Sequence, residues 1–180
     1  MQKINIFADG AAEPTNPGPG GWAAILVAKN KGEIYKKSIC GYFPAETQLG
    51  EVGLRMLKLG KTRKPIEKPD GTFWVATTNN RMEIYSILAA LKMIRRPEDV
   101  EVEVFSDSQV AINCLSGTWR AKENLDMIQE GRELMTKFDK ITFTWVKGHA
   151  DNTAQNEVDT LTHYAIHNKI EREEKIETLL

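Results

Sequence analysis

Three segments near the N-terminus carry hydrophobic residues in alternation with polar ones or in short continuous runs. They are rich in β-branched and aromatic residues and are bounded by glycine, asparagine and proline, which is typical of a three-stranded meander. The second and third segments join through Lys29–Gly32, a sequence typical of a hairpin turn. The three predicted strands cover residues 3–8, 22–28 and 33–41.

The second half of the chain alternates helical and strand patterns. Met82, Ile84, Ile87 and Leu91 recur at helical spacing, so their helix is expected to bury one face. A meander followed by helix-linked strands predicts an α/β fold with a mixed sheet. The predicted helices cover residues 81–95, 108–115 and 123–138, with a last one from about 153, and the predicted strands cover 100–105 and 141–146.

Residues 42–76 interrupt this order and are predicted to form an insertion. Hydrophobic residues within 49–59 have helical spacing, although two glycines weaken a helix there. The charged stretch 62–71 predicts an exposed loop, and 72–76 predicts a short strand. At the other end, residues 167–180 predict a charged helical tail, and the chain as a whole is expected to form a single domain.

Composition restricts the class of protein. With 180 residues, 41% hydrophobic and 27% charged, the chain is long enough to bury a core without disulfides. Its two cysteines, Cys40 and Cys114, lie in hydrophobic patterns and predict buried thiols. The sequence contains no recognisable secretory signal or membrane-spanning run, so a cytoplasmic protein is expected. The net charge of −1 argues weakly against a nucleic-acid partner, but basic residues between Arg55 and Lys68 can form a local patch.

A dense polar group, Thr77-Thr78-Asn79-Asn80-Arg81-Met82-Glu83, opens the first long helix. The backbone amides and the dipole of a helix N-terminus favour a bound phosphate group. A simpler interpretation is that Asn80 caps the helix and Glu83 completes an N-x-x-E capping box. This segment alone leaves both interpretations open.

Four carboxylates occupy positions where the predicted sheet can bring them together. Asp9 and Asp107 follow predicted strands, Glu83 lies in the first long helix and Asp159 in the last helix. Each has a structural interpretation of its own, such as a turn or a helix cap. Clustered carboxylates nevertheless repel each other unless a cation neutralises them, and such oxygen ligands suit Mg²⁺ or Mn²⁺. His149, in a glycine-containing loop, has a side chain that can transfer protons near neutral pH.

These segments occur in the order found in one known family. The chain resembles type 1 ribonuclease H from about residue 3 to residue 166. The resemblance implies a five-stranded mixed sheet flanked by helices. It also implies hydrolysis of the RNA strand of RNA/DNA hybrids by two divalent metals, leaving 5′-phosphate and 3′-hydroxyl ends. The matching motifs are Asp9-Gly10, Asn16-Pro17-Gly18-Pro19-Gly20-Gly21, the Thr77–Glu83 run, Ser106-Asp107-Ser108-Gln109, and Trp145-Val146-Lys147-Gly148-His149 ending in Asn156-Glu157-Val158-Asp159.

The resemblance assigns the chemistry to five positions. Asp9, Glu83, Asp107 and Asp159 match the metal-binding acids of the family. The implied cofactor is Mg²⁺, two ions per site in the substrate complex, with Mn²⁺ as a substitute. His149 matches a mobile histidine that assists proton transfer or product departure.

Further positions match residues that hold the hybrid. Amide side chains suit the RNA strand because they can both donate to and accept from the 2′-hydroxyls of its minor groove. Contacts to the DNA backbone position the duplex without reading its sequence. The positions that match RNA-binding residues are Gly10, Asn79 and Gln109. Those that match DNA-binding residues are Asn16 and Thr78 at a phosphate, Asn80 in the adjoining minor groove, and Trp119 in the DNA channel.

The chain departs from the family pattern in two places. Many bacterial members carry a basic protrusion that grips the hybrid, whereas residues 117–122 lead almost directly into the next helix here. Residues 42–76, in contrast, are much longer than the link expected before the Thr77–Glu83 run. The basic residues between Arg55 and Lys68 either replace the missing protrusion or belong to a surface elaboration that makes no substrate contact.

Several other functions remain open on the sequence. They are a hybrid-binding module without activity, the nuclease domain of a reverse transcriptase, and a nuclease of the same broad fold such as a transposase, an integrase or a junction resolvase. The four intact acids argue against a silent module, and the Thr78–Asn80 group argues against the last class. A monomer is expected for a chain of this length.

Overall fold

Strands and helices alternate through the computed structural model, which describes residues 1–61, 65–148 and 152–179. The strands in this part of the chain are β1 (Gln2–Ala12), β2 (Gly20–Asn30), β3 (Glu33–Phe43), β4 (Glu46–Gln48), β5 (Ile66–Glu67), β6 (Phe73–Ala76), β7 (Val100–Ser106), β8 (Lys140–Trp145) and β9 (Glu173–Leu179). The helices are α1 (Glu51–Lys58), α2 (Asn79–Lys92), α3 (Gln109–Ser116), α4 (Leu125–Met135) and α5 (Thr153–His167), with a short 3-10 turn at Pro97–Asp99.

The central sheet has the strand order β8-β7-β1-β2-β3-β9. β1, β2 and β3 pair antiparallel, and β2 turns into β3 through Lys31 and Gly32, both at positive φ. β7 lies parallel to β1, and β8 lies parallel to β7. The predicted mixed α/β sheet is therefore confirmed, as are the hairpin and the helix-linked strands.

The expectation of five strands was wrong by one, and the prediction of a helical tail at 167–180 was wrong as well. α5 ends at His167, and β9 pairs antiparallel with β3, from Ile34 opposite Leu179 to Cys40 opposite Glu173. Lys37 lies 3.1 Å from Glu174 across this pair. Pairing with the edge of β3 and with its basic side chains thus stabilises a strand here, although the acidic segment has a weak strand propensity of its own.

The core lies on both faces of the central sheet. On one face α2 contributes more buried hydrophobic side chains than any other element, including Ile84, Ile87 and Leu88, and packs together with α3 and α4. On the other face α5 places Val158 and Ala165 against β2 and β3. Both cysteines are free and buried, as predicted.

The insertion folds into a small unit of its own. β4, β6 and β5 form a second sheet, and α1 packs against α4. The helix predicted within 49–59 and the strand predicted at 72–76 are confirmed as α1 and β6. The loop predicted at 62–71 contains β5, and its residues 62–64 lie outside the described part of the chain. Within the described residues, no helix is long and apolar enough to cross a membrane.

Candidate active site

Two of the predicted acids meet because β1 and β7 are parallel neighbours. The pairing between these strands runs up to Phe7 opposite Phe105, so the residues that follow on each strand emerge at the same edge of the sheet. Asp107 follows the end of β7 directly. Asp9 was expected just beyond its strand, but β1 continues past it, and Asp9 pairs with Ala23 of β2.

Glu83 reaches this edge because Gly10 lets α2 lie directly against β1. A Cβ atom on Gly10 would lie only 2.5 Å from the carbonyl oxygen of Met82, and closer still to Met82 C and Glu83 N. Any side chain at position 10 would therefore push the first turn of α2 away from the sheet. This close approach places the Glu83 carboxylate beside Asp9.

The structure brings three of the four predicted acids into one cluster. One carboxylate oxygen from each of Asp9, Glu83 and Asp107 lies within 4.8 Å of the others. Asp9 is only 6% exposed, and Oε2 of Glu83 is buried without a hydrogen-bond partner among the described residues. Asp159 lies outside this group of three on α5, but its charge acts on Asp9. We call Asp9, Glu83 and Asp107 the acid cluster.

The electrostatics of the acid cluster favour a bound cation. Burial, followed by the negative charges of Asp107 and Asp159, raises the pKa of Asp9 to about 7. Burial and the charges of Asp9 and Asp107 raise the pKa of Glu83 well above its usual value. A divalent ion would relieve this repulsion and give the buried Glu83 oxygen a partner. The all-oxygen donor set fits Mg²⁺ or Mn²⁺.

The loop after β8 closes the other side of Asp107. A Cβ atom on Gly148 would lie 2.7 Å from Asp107 Oδ2, so a larger residue there would collide with the carboxylate. His149 is the next residue and lies outside the described residues. Its assignment as a proton-transfer residue stays a prediction.

The polar group before α2 forms a fixed hydrogen-bond network. Thr78 is the N-cap, and its hydroxyl accepts from the backbone N–H of Arg81 at 3.2 Å. The proposed Asn80 cap and its N-x-x-E box were therefore wrong, because the helix already begins at Asn79. The backbone N–H of Asn79 donates to Asn16 Oδ1 at 3.1 Å, and Asn79 Oδ1 accepts from Ala12 N at 2.6 Å. Two predicted hybrid-binding residues, Asn16 and Asn79, thus support each other.

Three further predicted hybrid-binding residues, Asn80, Gln109 and Trp119, are exposed on the surface. Gln109 is the exposed first residue of α3, which is capped by the Ser108 hydroxyl. Asn80 is exposed at the start of α2. Asn80 and Trp119, the latter 44% exposed, line one cavity of about 460 Å³. A loop of eight residues, 117–124, joins α3 to α4 next to this cavity.

A buried ion pair that the sequence analysis did not find braces α2. The Arg81 guanidinium donates from Nη1 and Nη2 to the two carboxylate oxygens of Asp126, at 2.9 and 2.7 Å. Both side chains are about nine-tenths buried, and Asp126 belongs to the first turn of α4. The arginine at the start of a helix was visible in the sequence, but the sequence did not identify its partner.

The same ion pair borders a second cavity, of about 420 Å³, between the insertion and the core fold. Thr78, Arg81 and Asn124 line it from the core fold, while Lys61 comes from the insertion and Lys122 from the loop before α4. We call this space the Lys61 cavity. Its acidic lining residues are Asp126, which is paired with Arg81, and Glu123, which also has a partner.

Gln155 is another residue missed at the sequence level. It is 3% exposed, and its Nε2 donates to the backbone carbonyl of Ala8 at 3.1 Å. This bond ties α5, which carries Asp159, to the residue that precedes Asp9. The available signal was a glutamine one helical turn before Asp159, but its burial is known only from the fold.

The sheet order and the acid cluster define the class as a mixed-sheet α/β protein with a carboxylate group whose donors fit a divalent metal. The chain belongs to the RNase H family, whose model matches residues 1–167.

Two relatives illustrate the match. A ribonuclease H of Chlorobaculum parvum is 33% identical over 181 residues, covering 92% of this chain and 97% of that protein. The ribonuclease HI of Helicobacter pylori is 32% identical over 186 residues, covering 99% of each chain.

Solved structures share the fold. RNase H1 of the archaeon Halobacterium salinarum superimposes with a TM-score of 0.61 at 22% identity, covering 92% of this chain and 98% of that one. LC11-RNase H1, solved in complex with an RNA/DNA hybrid, gives a TM-score of 0.62 at 21% identity, covering 92% and 97%. The recognition of a ribonuclease H fold from sequence motifs is thus confirmed.

Proposed function

We propose that this chain cleaves the RNA strand of RNA/DNA hybrids endonucleolytically and with little sequence preference, leaving 5′-phosphate and 3′-hydroxyl ends. The observation that carries the proposal is the acid cluster at the edge of the sheet, where the buried Oε2 of Glu83 has no hydrogen-bond partner among the described residues. Family membership supports the same activity. The hybrid bound by LC11-RNase H1 supports the same substrate.

The residues that would hold two Mg²⁺ ions are Asp9, Glu83, Asp107 and Asp159. Bound ions of this kind activate a water molecule and stabilise the leaving oxygen of a phosphodiester. The protein's own part is to keep these four carboxylates in place against their mutual repulsion. Gly10 does this by admitting α2 to the sheet, and Gln155 does it by fixing α5 to β1. His149 would then move a proton or assist product departure.

The hybrid would lie across the start of α2. Gly10, Asn79 and Gln109 would face the minor groove of the RNA strand, where amides can recognise 2′-hydroxyls. The Asn16–Asn79 hydrogen bond joins this group to the neighbouring DNA side, because Asn16 and Thr78 would hold a DNA phosphate. Asn80 and Trp119 would contact the DNA strand further along, at the cavity that they share.

Within the insertion, we assign the substrate contact to Lys61. Arg55 is paired with Glu133 and Lys68 with Glu46, so these two basic residues already stabilise the insertion and its contact with α4. Lys61 instead lines a cavity together with Thr78 and Lys122. A lysine at this position would add a cation beside the phosphate held by Thr78. Among the described basic residues of the insertion, Lys61 is therefore our candidate replacement for the missing protrusion.

The test compares an RNA/DNA hybrid, double-stranded RNA, single-stranded RNA and double-stranded DNA, each with a labelled strand. Cleavage of the hybrid's RNA is expected with Mg²⁺ or Mn²⁺ and is expected to stop with a chelator or with Asp9→Asn. End analysis of the fragments checks the 5′-phosphate. Equal cutting of double-stranded RNA would refute the substrate assignment, and tight hybrid binding without cleavage would favour a silent binding module.

A further inference from the structure

Two of the chain's three histidines meet a single glutamate beside the start of β2. His163 and His167 are one helical turn apart on α5, so their side chains leave the same face of the helix. Glu13 follows β1 and reaches both rings. His163 Nδ1 lies 2.6 Å from Glu13 Oε1, and His167 Nε2 lies 3.3 Å from Glu13 Oε2. We call these three side chains the histidine cluster.

Ions in solution can reach the histidine cluster. The side chains of Glu13, His163 and His167 are 32%, 38% and 69% exposed. A cavity of about 640 Å³ opens beside them, and Glu13 and His167 are among its lining residues, as are Tyr42 and Lys169. The Glu13 carboxylate now lies between the two rings, whose centroids are 6.2 Å apart. Because His167 is largely exposed, its ring can turn toward an ion that is shared with His163.

The donor atoms of the histidine cluster differ in kind from those of the acid cluster. Two imidazole nitrogens and one carboxylate oxygen suit Zn²⁺, Co²⁺ or Ni²⁺, whereas Mg²⁺ prefers oxygen alone. The negative charges of Glu13, Asp159 and Asp9 all act on His163. That field attracts a dication and compensates part of the cost of desolvating it.

The second ring nitrogen of His163 points toward Asp159, the fourth predicted acid. His163 Nε2 lies 3.3 Å from Asp159 Oδ1. Metal-binding histidines commonly donate the other ring N–H to a carboxylate, which orients the ring and fixes its tautomer. His163 already has this arrangement, with Nε2 toward Asp159 and Nδ1 toward Glu13. A bound ion would take the place of the proton that otherwise bridges Nδ1 and the Glu13 carboxylate.

We propose that Glu13, His163 and His167 bind one transition-metal dication of the zinc type, at a site separate from the acid cluster and joined to it through Asp159. The site does not depend on the proposed cleavage activity, since its ligands come from other residues. Its occupancy would hold the His163 ring in the orientation that bonds Asp159.

The test is a Zn²⁺ titration of the whole protein by calorimetry in excess Mg²⁺. One equivalent of Zn²⁺ is expected to bind, and His167→Gln is expected to weaken that binding at least about tenfold. The matched control is the double change His167→Asn with Asn168→His. It keeps the composition of the chain but moves the second imidazole off the one-turn spacing, and it should weaken binding as much as His167→Gln.

Two further measurements assign the ion to its ligands. In Glu83→Gln, which alters the acid cluster alone, the affinity for Zn²⁺ should be unchanged. On addition of Zn²⁺, the ring ¹⁵N chemical shifts of His163 Nδ1 and His167 should change. The ring ¹⁵N shifts of His149 should not change. The proposal is overturned if no Zn²⁺ binds in excess Mg²⁺, if the spacing variant binds as tightly as the wild type, or if Glu83→Gln removes the binding.

Discussion

Replacing Gly10 by alanine tests how the acid cluster is assembled. The added Cβ would lie 2.2 Å from the Met82 carbonyl carbon, its nearest neighbour, while ordinary contact begins at 3.4 Å. The first turn of α2 would therefore have to retreat by about 1.2 Å, and the Glu83 carboxylate would move away from Asp9 by a similar amount. A misplacement of roughly 1 Å in a catalytic group costs on the order of 100-fold in rate, and overpacking of this kind costs about 1–3 kcal/mol of stability.

The assay is the initial rate of cleavage of a labelled RNA/DNA hybrid, with kcat and KM separated, together with the melting temperature. We expect Gly10→Ala to lower kcat by roughly 100-fold and Tm by roughly 2–10 °C. Gly50→Ala is the matched control, because Gly50 has open space around it and no positive φ. It should leave kcat unchanged and lower Tm only slightly.

The outcomes of this experiment separate two roles for Gly10. If kcat and Tm both stay at wild-type values, the packing argument is wrong. A rise in KM alone would mean that Gly10 acts only through the RNA groove contact predicted from the sequence. The close approach of α2 and β1 requires that both kcat and Tm fall. The loss of rate should then persist at saturating hybrid.

Three further predictions concern charge. Without metal, the pKa of Asp9 is about 7 in the folded protein and 3.8 in the unfolded chain. The free energy of unfolding should therefore fall as the pH rises from 3.8 to about 7 in the presence of a chelator. Asp9→Asn should therefore raise Tm at about pH 8 and not at about pH 4, and an equal shift at both would contradict the reasoning. In Lys61→Gln, the plot of log affinity for the hybrid against log salt concentration should become less steep by about 1. Lys58→Gln, which alters the same insertion, should leave this slope unchanged. Arg81→Ala should cost about 3–5 kcal/mol in urea unfolding by leaving the Asp126 charge buried, and the double change with Asp126→Leu should recover much of that loss.

The sequence was sufficient for the parts of the site that follow from strand order. Asp9 and Asp107 could be placed together because parallel neighbours end at one edge, and this holds although β1 runs on past Asp9. The meander and the main helices were predictable because their hydrophobic periods are long and regular. The members of the acid cluster could be predicted as candidates because the motifs around them are specific.

Features that depend on contacts between distant segments could not be predicted. Glu83 meets Asp9 only because Gly10 touches the backbone of α2, and no local pattern at either residue reveals that contact. The Arg81–Asp126 pair joins two helices whose packing is known only from the fold. β9 is the clearest error, since its acidic sequence has little strand propensity and the exposed edge of β3 decides its structure.

The base of the insertion explains how an extra unit can precede the active site without disturbing it. Thr77 is buried at this base, where its backbone N–H donates to Ala45 O at 2.8 Å and its hydroxyl donates to Pro44 O at 2.6 Å. The chain therefore leaves and re-enters the core at one point, and closing a longer loop there costs little free energy. α2 begins two residues later, and its position against β1 is set by Gly10. The insertion thus places Lys61 in the Lys61 cavity while the geometry of the acid cluster stays fixed. Under the proposed substrate contact, changes at Lys61 should therefore alter hybrid affinity and leave kcat unchanged.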